Sequence, residues 1–136
     1  MPHNLFLKEL ARNNLMLLFN SYSHMGTKIY DYIGINRTIL LCYTDDEEAK
    51  KLKEKYYKVE DLEGISGHLQ EDLINETSSG YVVKDARHLY NLLGELYDEF
   101  LKNGHIQCNT KNTDKYSRKY QTQKLAEIIN NIVDYK

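Results

Sequence analysis

Only two cysteines, Cys42 and Cys108, occur among the 136 residues. That is too few for a disulfide framework. With no secretory leader at the N-terminus, they predict a reducing, cytoplasmic setting. No apolar run approaches the roughly 20 residues that a helix needs to cross a bilayer, which excludes a membrane span. Charge of one sign is also lacking: 18 basic and 20 acidic side chains leave a net charge of −2, which excludes a uniformly basic nucleic-acid coat. Tryptophan is absent and tyrosine occurs twelve times. Tyrosine buries area at little entropic cost and keeps a hydrogen-bonding tip, so it suits interfaces as well as cores.

Chemistry-bearing constellations are missing too. The five histidines are scattered, and His105 and Cys108 have metal-compatible spacing without the second pair that a zinc site needs. The acidic pairs Asp45/Asp46 and Glu71/Asp72 fit solvated helix starts better than a general acid and base, and Ser66 has none of the flanks of a strained nucleophile turn. Gly64-x-x-Gly67 has the spacing of a phosphate clamp, but Glu60, Asp61, Glu63 and Glu71 around it would repel a phosphate backbone. No enzyme activity, cofactor or metal is expected.

The charge that is present is segregated. Residues 1–43 carry a balance of +2, residues 44–100 are acidic by eight charges, and the remainder returns to +4. A mildly basic head and tail can flank a duplex while the acidic middle faces away or meets a basic protein.

The aliphatic content supports a folded domain, and the length fits either one core or a small domain with a helical extension. Residues 4–20, with Leu5, Leu7, Leu10, Leu15, Leu17, Leu18 and Phe19, read as a central helix. In residues 25–43, Ile29 and Ile33 share a helix face, Gly34 supplies a sharp break requiring positive φ, and Asn36 stands where an N-cap belongs. Ile35, Leu40 and Tyr43 then give a second helix its apolar side; a different reading makes residues 38–44 a buried strand of an α/β unit, which Ile, Leu, Cys and Tyr also suit. The acids from Asp45 to Glu48 announce a helix running to about residue 58. Residues 68–76 add a helical piece, 76–80 a loop, and 81–83 a short strand or a staple. Residues 85–103 are emphatically helical, with Leu89, Leu93, Leu96 and Phe100 spaced by fours and threes and Gly104 as terminator. Residues 105–117 read as an exposed polar loop. Residues 118–134 form an amphipathic helix on Leu125, Ile128, Ile129, Ile132 and Val133.

Gly34-Ile35-Asn36-Arg37-Thr38, with Leu40 and Tyr43 behind it, resembles the turn and second helix of Cro- and XRE-type repressors. Leu10, Leu15, Leu18 and Phe19 resemble that family's first helix, and Tyr57-Lys58-Val59-Glu60-Asp61-Leu62 the end of its last helices. The resemblance covers about the first half of the chain. It implies a mainly α fold, with an N-terminal helix-turn-helix bundle over residues 1–64, then a long helix and a C-terminal amphipathic helix over residues 65–136.

The function implied is a small transcriptional regulator that reads the major groove of double-stranded DNA. Thr27 and Lys28 would hold phosphate, and Asn36, Arg37 and Thr38 would enter the groove, Arg37 suiting guanine and Asn36 adenine. The 118–134 stripe would pack on the 85–103 helix of its own chain or on that of a second chain, and two half-sites call for the second, a homodimer built through residues 85–103 and 118–134. The apolar Ile39, Leu41 and Cys42, where polar readers would be expected, favour an alternative: a protein-binding inhibitor of the phage anti-defence kind. Such a protein would block a host nucleic-acid enzyme with its acidic middle segment and tyrosine-rich surface.

Overall fold

The computed structural model describes residues 2–19, 25–56 and 66–133. The element order is α1 (His3–Leu10), β1 (Leu15–Phe19), α2 (Lys28–Gly34), β2 (Thr38–Cys42), α3 (Glu47–Tyr56), α4 (Leu69–Thr77), β3 (Gly80–Val83), α5 (Ala86–Asn103), a 3₁₀ turn (Asp114–Tyr116) and α6 (Arg118–Val133). The strands form one parallel sheet in the order β1-β2-β3, with Leu17 beside Leu40 and Leu40 beside Tyr81. The sheet therefore takes strands from both sides of residue 64.

This overturns the mainly α expectation. Residues 38–42, which were to be the second helix of a helix-turn-helix, are the central strand, and the strand alternative for this stretch is the one observed. The single helix expected over 4–20 is a helix and a strand, broken at Ala11–Asn14. The two misreadings differ in cause. β1 is apolar even on its open face, where Leu17 and Phe19 are exposed, and so continues the apolar spacing of α1, whereas the central strand of a parallel sheet is covered on both faces and carries a near-continuous apolar run instead of an alternating one. Thr38, Ile39, Leu40 and Leu41 are all buried. Gly34 also behaves differently from expectation. It ends α2 without positive φ, and the left-handed residue is Asn36, at φ 53°, an arrangement that asparagine tolerates better than most side chains.

Side chains alternate across the sheet. Ile39 and Leu41 pack with Leu18, Ile29, Ile33, Leu73 and Ile74 on the face covered by α2 and α4. Leu40 and Val83 pack with Leu92 and Leu96 of α5 on the other. Both crossovers thus lie on one face, as two right-handed connections stepping in the same direction must. Between α4 and β3 the chain turns through Ser78 at φ 50°. Thr77 donates its hydroxyl to the Leu73 carbonyl at 2.7 Å and its oxygen lies 2.9 Å from Ser79 Oγ, whose proton it accepts, so the buried hydroxyls of this turn are satisfied.

The segment after α5 is tied down where a free loop was expected. Ile106 N–H donates to Asn14 Oδ1 at 3.2 Å, Thr38 Oγ1 to the Gln107 carbonyl at 3.3 Å, and Lys111 N–H to the Thr77 carbonyl at 2.8 Å. Since Asn14, Thr38 and Ser79 mark the amino ends of the strands, this segment passes beneath that edge of the sheet, from the α5 face to the α2/α4 face. The prediction of residues 57–58 as the end of the fourth helix lies outside the described residues.

Gly80 lies hard against the central strand: a Cβ there would stand 1.9 Å from the Ile39 carbonyl oxygen, a backbone atom that cannot step aside. Gly94, on the exposed part of α5, has nothing within 4 Å of the same point. Urea unfolding should show Gly80→Ala losing about 3 kcal/mol and Gly94→Ala gaining about 0.5–1 kcal/mol through helix propensity. Equal responses would contradict this register.

Candidate functional site

The five residues expected to touch DNA are divided between two places. Thr27 and Lys28 are exposed at the start of α2, on the side of the sheet where the strands end. Asn36, Arg37 and Thr38 lie beyond the other end of α2, where the central strand begins. Asn36 Oδ1 accepts from Thr110 Oγ1 at 3.0 Å. The Arg37 guanidinium clasps the Ala11 carbonyl, through Nε at 2.9 Å and Nη2 at 2.6 Å, and Nη1 reaches the Asn36 carbonyl at 3.2 Å. Thr38 is buried beneath Gln107. In this arrangement Arg37 staples the end of α1 to the entry of β2, and no helix presents these three side chains outward.

Open α/β sheets place ligands beyond the carboxyl ends of their strands. Here that edge holds a polar cluster that sequence reasoning passed over. Tyr43 follows β2 directly and Lys84 follows β3 directly, while His68 and Glu71 stand at the start of α4. The Tyr43 hydroxyl donates to the Glu71 carboxylate, and Lys84 Nζ lies 3.1 Å from Glu71 Oε2 and 5.2 Å from the centre of the Tyr43 ring. Tyr43 stacks on His68 with centroids 5.3 Å apart. The signal was positional: each of the first two residues is the one after a strand, which becomes visible only once the strands are known.

The electrostatics of the cluster fix its charge state. Burial, then the hydrogen bond to Glu71, pushes the Tyr43 phenol up to about 12. Burial would raise Glu71, but the hydrogen bonds from Tyr43 and Lys84 outweigh it and hold the carboxyl below its ordinary value. Hydrogen bonding to Tyr43 and Glu71 raises the Lys84 ammonium. Tyr43, Glu71 and Lys84 are thus each driven further into the state they already hold at neutral pH, the opposite of the tuning a proton-transfer site requires. Burial likewise raises the Cys42 and Cys108 thiols, which keeps them protonated. A cavity of about 210 Å³ adjoins the cluster, lined by Cys42, Tyr43, Thr44, Lys84, Asp85 and Leu89 among others, and it is predominantly apolar. Among the described residues no three His, Cys, Asp or Glu side chains are grouped to hold a metal ion, and no helix is long and apolar enough to cross a membrane.

The other distinctive surface is apolar. Along α5, Leu92 and Leu96 face the core, while Tyr90, Tyr97 and Leu101 are 80%, 61% and 64% exposed. On the same face of the sheet, Leu17 and Phe19 of β1 are uncovered. All of α6 is exposed, including Leu125, Ile128, Ile129, Ile132 and Val133. Isolated apolar residues are ordinary on a protein surface, whereas runs of them along a helix mark places where another surface docks.

The sequence matches no family model, and neither the curated proteins nor the solved structures compared with it gave a match.

Two outcomes follow from these contacts. Arg37→Ala should lower the free energy of unfolding by about 2 kcal/mol, the scale for a charged hydrogen bond to a half-buried carbonyl; a solvated arginine would leave the urea midpoint unmoved. Tyr43, whose folded value is raised, should ionise near 12. The unfolded phenol ionises near about 10, so stability contributed by Tyr43 is intact below that pH and lost as pH climbs from there through the folded value. The difference in phenolate absorbance between the native chain and Tyr43→Phe isolates this titration.

Proposed function

We propose that this chain is a protein-binding module that engages another polypeptide through the apolar faces of α5 and α6. The observation that carries this reading is α6 itself: 16 residues of helix without one buried side chain, whose large apolar groups share one stripe. An isolated helix of that length is marginal in water, because nucleation costs more than a few turns return. A helix that meets the rest of the fold mainly at its first turn needs a further surface to hold it. Tyr90, Tyr97 and Leu101 supply a second apolar patch with the tyrosine enrichment typical of interfaces.

Reading a duplex through residues 36–38 has no comparable support, since Arg37 is spent on a backbone carbonyl and Thr38 is buried. The carboxyl-edge cluster binds itself: Tyr43, Glu71 and Lys84 satisfy one another.

A photo-crosslinking residue placed at Ile129 or at Tyr97 tests the reading in cells. Capture of a polypeptide from both positions is expected, with none from Lys51 on the polar α3. If neither position yields a protein adduct, the proposal fails.

A further inference from the structure

We infer that the occupant of the α5 face is α6 of a second copy of this chain, so that two copies exchange their last helices and close into a symmetric pair. This inference rests on the protein-binding reading and names its partner.

The two helices are complementary in spacing. On α6 the exposed apolar residues Leu125, Ile129 and Ile132 are separated by four and then three residues. Read in the opposite direction, Tyr97, Leu93 and Tyr90 of α5 repeat the same steps. Laid antiparallel, one helix therefore sets three residues level with three of the other, the four-three rhythm that lets two helices share a seam.

The two helices also differ in the sign of their charge where they would meet. In that register the first half of α6, with Arg118, Lys119 and Lys124, lies along the carboxyl-terminal half of α5, which carries Glu95, Asp98 and Glu99 against Lys102; Glu99 already accepts from the Gln107 N–H at 2.8 Å. Positive charge at that end of α5 also complements the helix dipole. Glu127 comes level with Glu95, and it holds its own counter-charge, Lys124, at 2.9 Å.

The chain's own α5 is out of reach of its α6. The segment between the two helices is fastened beneath the sheet by the bonds of Gln107 and Lys111, then on α4, where Tyr116 donates to Glu76 at 2.6 Å and Lys115 pairs with the same carboxylate. Gln121 Nε2 further ties the first turn of α6 to the Lys115 carbonyl at 2.6 Å. So α6 starts from the α2/α4 side of the sheet, and α5 lies on the opposite side. A second copy meets no such barrier, and reciprocal exchange satisfies both α6 helices at once, as a two-fold interface must. Each copy contributes thirteen large exposed apolar residues from α5, α6 and the β1 pair Leu17 and Phe19. That is about half of the roughly 20–30 residues per side in a standard stable interface.

Sedimentation of the full chain tests this. The expected mass is twice the 16.0 kDa of one chain. Ile129→Asp should weaken association roughly 30-fold or more, as loss of a central anchor does, with a loss of helical circular dichroism no larger than the 16 residues of α6 account for; Lys51→Ala should sediment as the native chain does. The double variant Tyr97→Cys with Leu125→Cys should form a covalent dimer on oxidation, and each single variant should not. A monomer at every concentration, a bridge formed within one chain, or open-ended oligomers would each overturn the inference. A monomer that still captures a different protein through Ile129 and Tyr97 would sink this inference alone, whereas one that captures nothing would also remove the protein-binding reading.

Discussion

Everything in this fold depends on burying β2 from both sides. A central parallel strand exposes no face to water, so Thr38, Ile39, Leu40 and Leu41 are covered above and below. Helices must therefore stand on both faces of the sheet. Two of them, α2 and α4, come for free from the crossovers that parallel pairing demands. The other face has no crossover, and the chain covers it only by adding α5 after the last strand.

That asymmetry explains where the apolar surface is left over. Two helices meet one face and a single helix meets the other, so α5 covers Leu40 and Val83 while Leu17 and Phe19 of the outer strand stay open. The chain carries a further helix, α6, but fastens its start to the crossover face through Lys115, Tyr116 and Glu76. Supply and demand for apolar cover are thus on opposite sides of the same sheet. The polar carboxyl edge, where α/β proteins commonly work, is by contrast internally satisfied.

How much of this was legible depended on which force governed each segment. The long α5 was readable from its helix period and from Gly104 as its terminator, while Asp85, read as its first residue, is its cap and accepts from the His88 N–H. The α6 stripe was equally clear. The first 43 residues misled, because burial on two faces erases the alternation that identifies a strand, and Leu15 to Phe19 continue the apolar spacing of α1. The helix-turn-helix outline arose from that ambiguity: α2 and its glycine were real, and the next five residues were a strand. The candidate site was less legible still. Arg37 and Asn36 were singled out by type, yet their partners, Ala11 and Thr110, are 26 and 74 residues distant in the chain. Tyr43, Glu71 and Lys84 meet only through the sheet's register, which no local pattern encodes.

The belt beneath the amino edge sets a timetable for folding. Asn14 receives its partner, the Ile106 amide, only 92 residues later, and a ribosome adding roughly 5–20 residues per second takes about 5–18 s to deliver it. For that interval the nascent sheet has a raw lower rim, with Thr38 and Thr77 awaiting Gln107 and Lys111. Pairings so distant along the chain also slow refolding, since ring closure must precede the contacts that reward it. The last third of the sequence thus acts as the clasp that finishes a structure begun in the first.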